Sequence, residues 1–293
     1  MNRWLMVALF LVTLFAGDRI GGALLENVLY RSPQRYSMLY EGRFSSEVVA
    51  IGNSRGVHVL DGALIEERAG TSVTNIGHNA MTPTVIRAIF NDYLEHNPPP
   101  KLLIVEASCV TSKTGRGLLL DYKPFWRRSA RLRQLGESYS PNTATACQLS
   151  HLYRYNSEMY LRALSYWLRG RSDQQSFMYQ RVTPSFIAAV EQMKPREFRI
   201  VPAELEALRG LIEDATEAGV NVKLIYSPVL PAYAERVTNL EQFLSDVSQA
   251  TGREVQDYSG AITDASEFAD RFHINRDGSR HITEIMIERG LFN

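Results

Sequence analysis

Cysteine is scarce: the 293 residues hold two, Cys109 and Cys147. Neither belongs to a CxxC pair or to a cluster with metal-ligand spacing, which argues against a zinc site or a disulfide-rich scaffold. In an exported chain the two could form one bond, but spacing alone does not make them neighbours. Charge of one sign is also missing. Lys plus Arg and Asp plus Glu both number 32, for a formal net charge of +0. A dedicated nucleic-acid binder carries a basic surplus, so no nucleic-acid partner is expected. The chain has no P-loop, no GxGxxG after a strand and no paired metal-ligand motif. Neither a metal nor an organic cofactor is therefore expected. Internal repeats and low-complexity tracts are lacking too. What is left is an ordinary globular composition, 45% hydrophobic and 22% charged, sufficient for a sizeable core.

Long apolar runs are limited to one. Met1-Asn2-Arg3 leads into Trp4–Ala16, almost wholly apolar, and Asp18-Arg19 follow. The run is shorter than the ~20 residues of a spanning helix. It reaches a workable length through Ile20, Leu24 and Leu25 if Asp18 and Arg19 sit near the interface. No small-residue cleavage site directly follows, so residues 1–26 are expected to be a retained signal anchor, with the membrane a partner, in preference to the alternatives of a cleaved signal or an internal core helix. Arg3 on the inner side places the rest of the chain outside the cytoplasm. The expected location is the inner membrane, with the bulk of the chain in the periplasm or extracellular space. Residues 27–45, polar and aromatic, read as an irregular juxtamembrane stem.

From Val48 onward strand and helix alternate. Val48–Gly52, Ser72–Gly77, Leu102–Ala107, Val220–Val229 and Glu254–Tyr258 read as strands. Val57–Glu67, a Thr82-capped segment to His96, Pro202–Ala218, Leu240–Thr251 and the stretch from Gly278 read as helices. That order predicts α/β architecture over 46–293, a doubly wound flavodoxin-like parallel sheet. Residues 109–200 break the alternation. They are rich in aromatics (Tyr122, Phe125, Trp126, Tyr153, Tyr155, Tyr160, Trp167) and arginines (Arg127, Arg128, Arg131, Arg133, Arg154, Arg162, Arg169, Arg171) and read as a helical insertion or lid, with one amphipathic helix over Leu149–Leu168. Such a surface could recognise sugars or anionic headgroups, or be a solvated lid with a buried aromatic side.

In open α/β sheets, sites form beyond the carboxyl ends of strands. Ser54 lies at one such end, in "VVAIGNSRGVHVL". It is either a helix cap or a nucleophile. Near the C-terminus, "FADRFHINRDG" places Asp270 three residues before His273. A serine needs a base, and the base needs a carboxylate to fix its tautomer. Ser54, His273 and Asp270 are therefore the candidate catalytic residues. Backbone N–H groups at Ser54 or Arg55 could face a developing oxyanion, and the Arg55 side chain could pair an anionic substrate group or, the favoured reading, sit in a surface or core salt bridge.

"IGNSRG" and "DRFHINRDG" resemble the first and last signature blocks of the SGNH/GDSL-type hydrolases. More closely, the chain is similar to membrane-anchored SGNH-like proteins of bacterial cell envelopes. Asn75-Ile76-Gly77 and Pro100-Lys101-Leu102 through Glu106 match their middle blocks weakly. The resemblance implies a three-layer sandwich, with Ser54 as nucleophile, His273 as base and Asp270 as its orienting partner. It also implies a backbone oxyanion donor on the second block, at Gly77 or Ala80, and an Asn side chain after the third strand, for which Asn79 could substitute from the neighbouring loop. Two departures stand out. The second block ends in Ala80 where the family has Gly, and "VEASCVTS" offers no Asn after the third strand. The implied activity is hydrolysis of an O-acyl ester, or its transfer, on a cell-envelope or secreted glycan. Envelope biosynthesis proteins would be partners. A non-catalytic binding or assembly protein of an exopolysaccharide system and a membrane-tethered scaffold are the alternatives.

Overall fold

The computed structural model describes residues 2–173 and 176–293. The chain divides into two compact units. A helical unit comprises Met1–Arg43 and Gly115–Asp173, and an α/β unit comprises Phe44–Thr114 and Gln174–Asn293.

Along the chain, α1 (Arg3–Arg31) and α2 (Arg35–Tyr40) precede β1 (Val48–Ile51). Then come α3 (Ser54–Val59), α4 (Gly62–Ala69), β2 (Val73–Asn75), α5 (Pro83–His96) and β3 (Leu102–Glu106). The helical unit resumes with α6 (Arg116–Asp121), α7 (Ala130–Tyr139), α8 (Pro141–Leu149), α9 (His151–Arg154) and α10 (Glu158–Arg169). The α/β unit closes with α11 (Pro184–Glu191), α12 (Pro202–Glu217), β4 (Asn221–Tyr226), α13 (Pro231–Ala234), α14 (Leu240–Thr251), β5 (Val255–Asp257) and α15 (Arg276–Glu288).

The five strands form one parallel sheet in the order β2-β1-β3-β4-β5. This is the flavodoxin-like doubly wound order. Every residue of β1 (VVAI) and β3 (LLIVE) is buried, as expected of central strands covered on both faces. The chain moves one way from β1 to β2 and the other way from β2 to β3 onward. With right-handed crossovers, that reversal sends the connecting helices to opposite faces. The helix contacts sort accordingly, with α5, α12 and α14 in one group and α3, α4 and α15 in the other. The reversal leaves a crevice at the carboxyl ends of β1 and β3.

Several boundaries differ from the sequence reading. Val57–Glu67 is two helices, because Asp61 turns its side chain back to accept from the Leu64 N–H and starts α4 afresh. Leu149–Leu168 is also interrupted. Ser150 and Ser157 act as N-caps, accepting from the N–H groups of Tyr153 and Tyr160. Thr82 precedes α5 without capping it through its side chain, and its hydroxyl is bonded to Thr114 Oγ1. Glu204, from α12, accepts the Thr84 N–H instead. The irregular stem is not observed. α1 runs on to Arg31 and α2 follows, with Leu29, Tyr30, Tyr36, Leu39 and Tyr40 buried. Their aromatic rings have Tyr122 and Phe125 to pack on. The insertion is correspondingly narrower than 109–200: Gly115–Asp173 joins the N-terminal helices in a unit of its own. Cys109 and Cys147 are buried free thiols.

Candidate functional site

The site is built where the sheet order reverses. β1 ends at Ile51, and Gly52 and Gly56 then pass directly over β3. A Cβ on Gly52 would lie 2.8 Å from the Glu106 Cβ, and one on Gly56 would lie 3.2 Å from it. Glycine at both positions lets the β1–α3 turn settle on the end of β3. Between them Asn53, not Ser54, caps α3: its Oδ1 accepts from the Arg55 N–H at 2.9 Å. Ser54 is thereby the first helical residue. Its own N–H has no partner among the described residues, and its hydroxyl is free of capping duty.

The C-terminal segment brings the other two groups. Phe268 and Ile274 pair in an antiparallel bridge, closing a tight loop between them. At its end Asn275 caps α15, accepting from the N–H groups of Asp277 and Gly278. Gly278 allows the closure, since a Cβ there would come 2.5 Å from the Glu267 carbonyl oxygen. α15 is docked on the α3–α4 break: Ser279 Oγ donates to the Val59 carbonyl, and the Asp61 N–H donates to Thr283 Oγ1. These contacts bring His273 Nε2 to 2.7 Å from Ser54 Oγ and His273 Nδ1 to 2.8 Å from Asp270 Oδ2.

The Asp270 carboxylate also accepts the backbone N–H groups of Phe272 and His273 through Oδ1. Burial pushes its pKa up. The hydrogen bonds to the His273 ring and to the two N–H groups outweigh that and hold it below the ordinary 3.8. A charged Asp270 fixes the proton on His273 Nδ1 and leaves Nε2 to accept from the serine hydroxyl. The His273 side chain is 17% exposed, so the relay is open to solvent. Chemically, the arrangement can remove a proton from Ser54 as it attacks an electrophilic carbon and return it to a leaving group.

The other predicted residues fare differently. Arg55 turns inward. Its guanidinium lies 3.6 Å from Glu106 Oε1, stacks on the Tyr226 ring at 4.1 Å and donates to the Ser227 carbonyl. Its backbone N–H is engaged by Asn53. It is a buried ion-pair partner rather than a contact for an anionic substrate. The Gly77 N–H donates to Asn75 Oδ1 at 3.0 Å, an Asx turn that engages it within the loop. Asn79 and Ala80 are the central residues of a turn closed by Met81 N–H to the His78 carbonyl, and both are exposed. Ala80 takes φ +61°, the left-handed region, which explains why glycine suits this position. The Asn79 side chain and the Ala80 N–H have no partner among the described residues.

Sequence reasoning missed the network beneath the serine. Glu106, buried at the end of β3, accepts from Ser108 N–H and Oγ, and from the Ser227 N–H. Ser108 Oγ in turn accepts from Asn53 Nδ2 at 3.0 Å. Ser108 thus stands just after the third strand, where the resemblance calls for Asn, and its hydroxyl is turned to the cap of α3. The readable signal was one carboxylate closing the otherwise apolar LLIVE. His58, which the sequence offers only as a structural or surface histidine, lies beside the relay: its ring meets that of His273 edge-on at 5.9 Å, and its Nδ1 lies 2.9 Å from the Ser176 carbonyl. Among the described residues no group of three His, Cys, Asp or Glu side chains could hold a metal ion.

No family model and no curated protein matches the chain. Solved structures that resemble it include one provisionally assigned as a platelet activating factor from Streptococcus pneumonia. It has 10% identity and a TM-score of 0.44, covering 99% of both chains. Another is a catalytic mutant of the acetylxylan esterase Axe2 from Geobacillus stearothermophilus. It has 12% identity and a TM-score of 0.38, covering 84% of this chain and 94% of the other. At these identities the activity has to be read from the site itself.

Proposed function

We propose that the chain is a serine-dependent esterase or O-acyltransferase of the SGNH-like type, acting on an acylated cell-envelope or secreted glycan. The observation that carries the reading is the continuous relay Asp270–His273–Ser54, with both links at 2.7–2.8 Å. Ser54 Oγ attacks the acyl carbon as His273 Nε2 takes its proton, and Asp270 stabilises the imidazolium. His273 then protonates the departing alcohol, leaving an acyl-serine. Water or a sugar hydroxyl resolves it, with His273 again the base. The Ser54 N–H and a donor from the Asn79–Ala80 turn stabilise the oxyanion. Loss of one such donor costs about 10²–10³ in rate, so the Asn missing after β3 favours a slow enzyme or a binding protein as the second reading. α1 is the one helix among the described residues long and apolar enough to cross a membrane. We read it as a retained anchor because its second half is built into the helical unit, where Gly22, Leu29 and Tyr30 are buried.

The test is labelling of the full chain with a fluorophosphonate probe, beside turnover of p-nitrophenyl acetate. Ser54→Ala should abolish labelling and lower turnover by about 10³-fold or more while leaving the melting temperature in place. Equal labelling of parent and variant would exclude Ser54 as the nucleophile, and no labelling of either would favour the binding protein. Retention of full-length chain by carbonate-washed membranes tests the anchor.

A further inference from the structure

A carboxylate in an apolar span is costly unless partners surround it. Asp18 has four donors. Its Oδ1 accepts from Ser150 Oγ at 2.5 Å and from the Leu152 N–H at 3.2 Å. Its Oδ2 accepts from the His151 N–H at 2.8 Å and from Arg19 Nη1 at 3.0 Å. Arg19 also donates to the Leu149 carbonyl and stacks on the Phe15 ring at 4.5 Å. The close approach depends on two glycines. A Cβ on Gly22 would lie 2.4 Å from the His151 Cβ, and one on Gly21 would lie 3.0 Å from a Leu152 methyl. Asp18–Gly22 is thus a fitted seat for the turn that starts α9, not a polar end waiting at an interface.

Depth follows from length. Trp4–Gly17 projects with nearly every side chain exposed. Fourteen residues rise about 21 Å, whereas the hydrocarbon core is ≈ 30 Å thick and tilt adds to the requirement. About six more residues are needed, which carries the bilayer past Asp18 to about Ala23. That is the stretch on which the turn sits. The side chains there are suited to lipid: Leu149 is 73% exposed and Leu152 42%, beside 63% for Ile20 and 62% for Leu24. A groove of ≈ 850 Å³ between the turn and α1 is lined by Phe10, Leu14, Phe15, Leu149 and Leu152.

We propose that the Leu149–Leu152 turn is immersed in the bilayer beside α1, its groove filled by phospholipid acyl chains. The helical unit then meets the membrane as a collar instead of hanging from a tether. This rests on α1 being a retained anchor. The test uses the full chain in vesicles of phosphatidylethanolamine and phosphatidylglycerol, with an environment-sensitive fluorophore on Phe10→Cys or on Leu149→Cys. Both native cysteines are buried, and the unsubstituted chain reports any background labelling. Lipids brominated along the acyl chain should quench both probes, with Leu149→Cys best quenched by bromines near the headgroup. Aqueous iodide should quench neither. Quenching of Leu149→Cys by iodide, with Phe10→Cys still quenched by bromolipid, would overturn the collar and keep the anchor. Iodide quenching of both would overturn the anchor itself, and the collar with it.

Discussion

The two units use buried charge and aromatic rings in opposite ways. In the α/β unit the buried polar groups converge on one place. Arg55, Glu106, Ser108 and Asn53 link the carboxyl ends of β1 and β3, and the chain of contacts ends beneath Ser54. In the helical unit the same residue types satisfy one another and leave little for a ligand. The Tyr122 hydroxyl donates to Tyr36 Oη at 2.8 Å, and Tyr40 stacks on Phe125. Arg35 pairs with Asp173, Arg127 with Glu26, Arg128 with Glu41 and Arg162 with Glu158. Of the aromatics that suggested a sugar platform, Tyr122, Phe125, Trp126, Tyr155 and Tyr160 are core residues, and only Tyr153 and Trp167 reach the surface. Arginine and aromatic content alone therefore says little about recognition; what matters is whether the partners lie inside the same unit.

That contrast can be broken at its strongest point. Glu106 is fully buried and answers a buried guanidinium, so Glu106→Gln leaves Arg55 charged and uncompensated. Loss of one partner of a buried pair costs about 3–5 kcal/mol. Glu158→Gln removes an exposed partner of Arg162 and should change stability by about 0.5 kcal/mol or less. Denaturant unfolding of the two variants measures both, and equal effects would erase the distinction. Next in size are two glycines, one in each unit. Gly278→Ala drives a Cβ into the Glu267 carbonyl and Gly22→Ala drives one into His151. Each should cost about 1–3 kcal/mol. Only Gly278→Ala, which displaces the loop carrying His273, should also lower turnover of a soluble ester. A matching loss in Gly22→Ala would tie the helical unit to the chemistry.

Much of the α/β unit was legible because its signals are local. The central strands could be read from short apolar runs such as VVAI and LLIVE, the outer ones from their place in the alternation, and the crossover rule then ordered the helices. Ser54 could be placed at a strand end, and Asp270 and His273 share one loop. The features that escaped are long-range or depend on competing caps. Asn53 and Ser54 are both good caps, and only the backbone decides between them. The hub at Glu106 joins residues from three strand ends. In the helical unit, Asn27–Arg43 looked irregular because its apolar face is made of tyrosines, which bury well only when other aromatics complete the cluster. Asp18 looked like the end of a span because three of its four donors lie more than a hundred residues away.

A smaller effect tests the turn beside the serine. Ala80 sits at φ +61°, where a Cβ is strained and glycine is not. Ala80→Gly should stabilise the α/β unit by about 1 kcal/mol. No gain in melting temperature would mean that the turn relaxes at little cost.

The smallest effect separates the units by the sign of their acid response. Asp270 lies below its ordinary 3.8, so the native state holds that proton less tightly than the unfolded chain. Its contribution to stability is complete above 3.8 and disappears as pH falls through the native value. In the helical unit Asp121 is shifted the other way, raised by burial and by the nearby charge of Glu158. A charged Asp121 penalises the native state at neutral pH, and the penalty is relieved as pH falls through its raised value. Asp270→Asn should therefore flatten the acid limb of stability against pH, and Asp121→Asn should stabilise most near neutrality. The size of the first is limited because the Asp270 side chain is 35% exposed and partly screened. Melting temperatures of the parent and both variants across the acid range give the answer. If both substitutions moved the curve in the same direction, the two carboxylates would share one environment, and the contrast between a site held in its charged form and a helical face that resists charge would fail.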